Sequence, residues 1–111
     1  MAHIVKLIAL VFVVSAQAAD ISGIWKHADK PAWLNINMQT GLVTVQRHDN
    51  APGAVGLTVI KDLSAAAPIW HGKMYAAEEG DYIAVSLELK DNQTLIVVDS
   101  DVVEILRLIR P

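Results

Sequence analysis

The chain has 111 residues, 53% of them hydrophobic and 5% aromatic, with nine basic and twelve acidic side chains and no cysteine. A net charge of −3 argues against nucleic acid or an anionic membrane as partner, since both need a positive surface. The lack of cysteine excludes a disulfide framework, and the length allows one domain with a small core.

The first element is an export signal by its layout. "MAHIVK" is short and weakly basic, "LIALVFVV" is apolar, and "SAQAA" is a run of small residues that places Ala16-Gln17-Ala18 as the A-x-A before a cleavage point. The apolar run falls well short of the roughly 20 residues that span a bilayer. Cleavage after Ala18 is expected, leaving residues 19–111 as a single periplasmic or secreted domain without stable membrane insertion. Lys6 leaves with the signal, which takes the net charge from −3 to about −4.

Strand and turn signals then alternate. "GIWKH" opens the series. "AWLNINM" places Leu34, Ile36 and Met38 on one face and Trp33, Asn35 and Asn37 on the other. "QTG" turns the chain into "LVTVQR", a hairpin pattern. "HDNAPGA" is a loop by its Asn, Pro and Gly. "VGLTVI" reads as the next strand, "DLSAAAP" as a connection, and "IWHGKMY" as a strand. "AAEEG" turns into "DYIAVSLEL", in which Ile83, Val85, Leu87 and Leu89 share a face. "KDNQ" is a turn, "TLIVV" a strand and "DSD" a turn. The last stretch, "VVEILRLIR", also suits a helix, but its β-branched content favours a strand. About eight short strands with turn signals every eight to twelve residues predict an all-β sandwich or barrel. Short local connections favour a small up-and-down antiparallel β-barrel, whose closure removes exposed edges.

Two groups of residues resemble known families. Gly23-Ile24-Trp25 at the start of the first strand, with an Arg in the last strand, is similar to the calycin barrels that include lipocalins and avidins. That resemblance implies an Arg, here Arg107 or Arg110, packed across Trp25 to close one end of the barrel with Gly23 in the same motif. The succession "VGLTVIKDL", "WHGKMYAAEEGDY", "SLELKDNQTLIV" and a basic last strand resembles the bacterial exported family called domain of unknown function 2147. Gly56, Leu63, Trp70, Gly72, Lys73, Gly80 and Tyr82 fall on its motif. The chain departs from the family in lacking a Cys pair before the "GL" strand and in its shorter last strand. The resemblance implies a fold and an exported address, and no reaction.

The densest aromatic and acidic stretch is "IWHGKMYAAEEGDY". Trp70, Gly72 and Met74 share one strand face, with His71, Lys73 and Tyr75 on the other. Trp70 and Met74 read as core, and Glu78 and Glu79 as solvated turn charges. A general acid–base pair needs an enclosed site that separates two pKa values, which a turn does not supply. His27, His48 and His71 follow no compact metal-ligand spacing. No nucleophile elbow, Cys nucleophile or phosphate-cradling Gly-rich loop is present. We therefore expect no enzyme, no metal and no cofactor. The expectation is a binding module that takes a small apolar ligand or an exported protein partner at the barrel mouth, with Trp33, Trp70, Tyr75 and Tyr82 as candidate contacts. An inhibitor that blocks another exported enzyme is the alternative. Sequence leaves open whether the lumen is filled, although a chain this short needs a packed core.

Overall fold

The computed structural model describes residues 20–64 and 68–111. The proposed signal segment and its cleavage point therefore lie outside the described residues. Eight strands form one closed antiparallel barrel in chain order: β1 (Gly23–His27), β2 (Ala32–Asn37), β3 (Leu42–His48), β4 (Thr58–Ser64), β5 (Ile69–Ala76), β6 (Asp81–Lys90), β7 (Thr94–Val98) and β8 (Glu104–Ile109). Closure comes from β8 pairing back onto β1, with Lys26 opposite Ile109 and His27 opposite Leu108. The expected all-β, up-and-down barrel is the observed fold.

The period-two pattern explains which residues turn inward. Leu34 and Ile36 of β2, Val43 and Val45 of β3, Val85 and Leu87 of β6, and Leu95 and Val97 of β7 are all buried, while their neighbours in sequence are more exposed. Trp25 and Trp70 are the largest fully buried side chains and occupy the lumen with Ile60, Leu87, Leu95 and Leu108. No buried polar or charged residue is found among the described residues. The lumen is thus a hydrophobic core.

Two strands differ from their expected spans. β4 was expected at Val55–Ile60 but runs from Thr58 to Ser64. A 3-10 turn at Pro52–Ala54 and the bond from the Leu57 amide to the Ala54 carbonyl (3.0 Å) spend the upstream residues on the loop. At the other end, Lys61 pairs with Lys73 and Ser64 with His71, so Asp62 and Leu63 together oppose Gly72. This is a β-bulge, with Asp62 at φ +54°, and it returns Leu63 to the core. β8 starts at Glu104 and leaves Val102 and Val103 in the preceding loop, because Val102 adopts φ +60°, outside the strand region.

One end of the barrel is sealed. The Trp25 indole Nε1 donates to the Ile21 carbonyl (2.8 Å), and Arg110 lies over the indole ring, its Cζ 4.3 Å from the centroid. Arg110 Nε donates to the Asn92 carbonyl (2.7 Å) and Nη2 to the Asp20 carbonyl (2.9 Å). One guanidinium thus covers the core, stacks on an aromatic and ties the β6–β7 turn to the segment entering β1. Of the two arginines considered from sequence, Arg110 makes this contact. Arg107 is exposed and pairs with Glu104 on the outer surface (2.6 Å).

Candidate functional site at the open end

The opposite end carries the loops 28–31, 49–57, 77–80 and 99–103, and its wall is uneven. β5 pairs with β6 along its whole length, from Ile69↔Glu88 to Ala76↔Asp81. The β6–β7 ladder covers only Ser86↔Val98 through Lys90↔Thr94. The β5–β6 hairpin therefore stands above the β7–β8 hairpin, and the inward side chains near its tip lack a neighbour across the gap. A cavity of about 290 Å³ occupies this dip, lined by Met74, Ile83, Ile105 and the turn residues Ala77, Glu78 and Glu79. A second cleft of about 210 Å³ follows the place where the ladder stops, between His71, Ala84, Ser86, Asp99 and Ser100.

Exposed apolar side chains collect at the same end. Val55, Leu57, Tyr75, Val102, Val103 and Ile105 are all exposed there, whereas Ile24 and Ile69 are exposed elsewhere. Val102 is the extreme case at 78% exposure. Its loop is held by Asp99, whose Oδ1 accepts from the amides of Asp101 (2.9 Å) and Val103 (3.0 Å). The Asp99 amide donates to the Val103 carbonyl (3.0 Å), and the Val102 amide to the Asp99 carbonyl (3.0 Å). The valine pair is therefore presented on a tied loop.

The four aromatic residues singled out in the sequence lie in three places. Tyr75 and Tyr82 face each other across β5 and β6 on the outer surface, ring centroids 5.4 Å apart and edge to face. Lys61 Nζ sits 4.1 Å from the Tyr82 centroid, and Tyr75 also borders the mouth cavity. Trp33 lies on the outer face of β2, half-buried, with Arg47 4.5 Å and Lys26 5.7 Å from its ring centre. Its exposed face is thus largely spent on cations of its own barrel. Trp70 is 2% exposed and belongs to the core, apart from the residues that line the mouth. Met74, Ile83, Ile105 and the Val102–Val103 pair were not singled out as contacts. The "VV" after "DSD" reads as the start of a strand, and no local pattern announces that β7 and β8 stop short.

Two of the histidines serve turns. His27 Nδ1 accepts from the amides of Asp29 (3.0 Å) and Lys30 (3.1 Å), and His48 Nδ1 from that of Asn50 (3.2 Å). His71 Nδ1 lies 3.3 Å from the Ser86 hydroxyl on the outer face. Among the described residues no group of three metal-ligating side chains converges. Desolvation lowers the His27 pKa from 6.5, with Lys30 adding to the effect. A protonated Nδ1 cannot accept the two amides. The folded pKa lies below the unfolded one, so this stabilisation is complete above about pH 6.5 and is lost as the pH falls below that value toward the folded pKa. Amide exchange at Asp29 and Lys30 is expected to accelerate over that range in the wild type, beyond the intrinsic pH effect. In His27→Gln this added acceleration should vanish.

Comparison with protein-family models, with characterised proteins and with solved structures returns no match.

Proposed function

We propose that this is an exported, non-catalytic binding module whose open end takes a protein partner. The observation that carries the reading is the gathering of exposed apolar side chains on the loops of one end, above a filled lumen and a shallow cavity. Scattered exposed apolar residues are normal on a soluble protein, but a collection of them beside a concavity marks an interaction surface. At about 290 Å³ the cavity falls just below the range of small-molecule pockets, which run from about 300 to 1,000 Å³. That favours a side chain of a partner over a buried lipid or cofactor. Export rests on the three-part leader and on the resemblance to the exported family of unknown function.

The test is site-specific photo-cross-linking in the producing cell. A photoreactive residue at Tyr75 or Val102 should give a discrete adduct, and one at Ile69, outside the open end, should not. Equal labelling from both ends would sink the reading. Native mass spectrometry of the exported protein separates the ligand alternative, since a retained small molecule adds its own mass.

The Val102 loop favours a second reading, an inhibitor that inserts a rigid apolar tip into another exported enzyme. A β-branched residue at φ +60° stores strain of about 1–3 kcal/mol, and such strain clusters where a loop serves recognition. Val102→Gly is expected to raise unfolding stability by about 1 kcal/mol, because glycine accepts the left-handed conformation freely. The same substitution should weaken partner binding. Denaturant midpoints and the yield of cross-link from Tyr75 measure the two effects.

A further inference from the structure

The closed barrel leaves a stretch of free strand edge on β6 at the open end. Leu89 donates its amide to the Pro68 carbonyl, just before β5 (3.4 Å). In an antiparallel strand the backbone groups alternate between the two neighbours. Odd-numbered residues of β6 therefore bond toward β5, and even-numbered ones toward β7. The β6–β7 ladder stops at Ser86↔Val98, so Tyr82 and Ala84 direct their backbone groups at a missing strand. The Tyr82 amide is met by the Asp81 carboxylate (2.7 Å). The Ala84 amide and the carbonyls of Tyr82 and Ala84 have no loop backbone bonded to them among the described residues. Ala84 is exposed. Both clefts of the open end touch this edge, one through Ile83 and the other through Ala84 and Ser86.

We propose that the β6 edge at Tyr82–Val85 accepts an extended peptide segment of a partner protein as an added strand, with one apolar side chain entering the cavity between Met74, Ile83 and Ile105 and flanking Lys or Arg side chains meeting the acidic rim. The inference rests on the binding-module reading above and specifies its partner. A strand added to a free edge gains main-chain hydrogen bonds, and alternate side chains give specificity. The rim selects the sign. Glu78, Glu79 and Asp81 stand on one side of the gap and Asp99 and Asp101 on the other, while Arg107 is committed to Glu104 and Lys61 to the Tyr82 ring. Lys73 remains, facing outward on β5. A lipid tail would leave the backbone groups unpaired. A second copy docked by the same edge would bring its own carboxylates to a rim that is already negative.

The test uses the full chain as exported and a short synthetic peptide in which valine alternates with lysine. The peptide should bind and slow amide exchange at Ala84. N-methylation of its backbone amides on the pairing side should weaken binding by about tenfold or more, the equivalent of one or two lost hydrogen bonds. A valine–glutamate peptide should fail to bind, and E78K/E79K should reverse the preference. Ala84→Pro removes the edge amide without touching the β5 ladder and should weaken binding equally. If that variant does not fold, the N-methylated peptide carries the same test. Unchanged binding of the N-methylated peptide overturns strand addition and leaves the binding-module reading standing. Failure of the valine–lysine peptide to bind overturns the proposal as well, and cross-linking from Tyr75 then judges the broader reading on its own. Protection of Ala84 through self-association without peptide would assign the edge to a second copy and overturn the peptide assignment.

Discussion

Replacing Trp25 by alanine is expected to cost about 3–5 kcal/mol of folding stability, the range for a fully buried large aromatic. Trp25 is 0% exposed, so the whole ring is lost from the core and leaves a cavity. The Ile21 carbonyl loses its indole donor, and Arg110 loses the ring beneath its guanidinium. Small domains have about 5–15 kcal/mol in total, so the variant retains little margin. A fall in melting temperature of about 15–30 °C follows from the entropy of unfolding at this size. Trp25→Phe narrows the effects, because it keeps most of the apolar volume while losing the indole N–H. Arg110→Met should cost about 1–2 kcal/mol through the stacking and the two carbonyl bonds. Arg107→Met, which breaks an exposed pair with Glu104, should cost less than about 1 kcal/mol. A double-mutant cycle between Trp25→Phe and Arg110→Met should show positive coupling. Equal costs at the two arginines would show that Arg110 does not seal the barrel.

Gly72→Ala should destabilise the barrel by about 1–3 kcal/mol, the scale of core overpacking. Strand propensity alone predicts the opposite sign, since alanine usually improves on glycine by about 0.5–1 kcal/mol within a strand. The geometry decides between them. A Cβ at residue 72 would lie 2.9 Å from Ile60 Cγ2, 3.1 Å from the Lys61 carbonyl oxygen and 3.3 Å from Leu63 Cδ1. The first contact is a branch methyl of a 0% exposed residue and the second is backbone, so neither yields cheaply. The close approach falls where the Asp62–Leu63 bulge of β4 lies opposite Gly72. Gly72→Val should be worse than Gly72→Ala. Ile60→Leu removes the obstructing methyl, so Gly72→Ala should cost less in that background. Urea midpoints at constant slope measure all four variants. A stabilising Gly72→Ala would show that β4 can move away and that the bulge does not hold the strand.

The two substitutions differ in how far sequence could have foreseen them. Trp25 was legible: it follows Gly23 in a G-x-W arrangement at the head of a strand, and an arginine waits at the other end of the chain. Which arginine stacks on it was not. Arg107 and Arg110 differ by an odd number of residues, so one faces out and one faces in. That assignment depends on the register of β8 against β7, where the Val97–Val98 irregularity shifts the count. Gly72 was legible as a glycine on the inward face between Trp70 and Met74. The identity of the neighbour followed only from a bulge in a strand placed several residues too early.

The open end was least legible. Tyr75 and Tyr82 were picked out by residue type, and the structure pairs them on the outer face beside the cavity. Trp33 and Trp70 were picked out by the same criterion, yet one is stacked against two cations and the other is core. Aromatic identity says that a side chain needs a large contact, not what supplies it.

The sequence by itself determined the fold class, the order of the strands and the inward faces of β2, β5 and β6, because each depends on a period of two and on turn chemistry that act over a few neighbours. The tertiary structure alone decided where the barrel is sealed, where its wall drops and that β6 keeps a free edge there. Those features depend on the relative lengths and registers of strands that meet across the barrel. No local pattern encodes the point at which β7 ends beside β6.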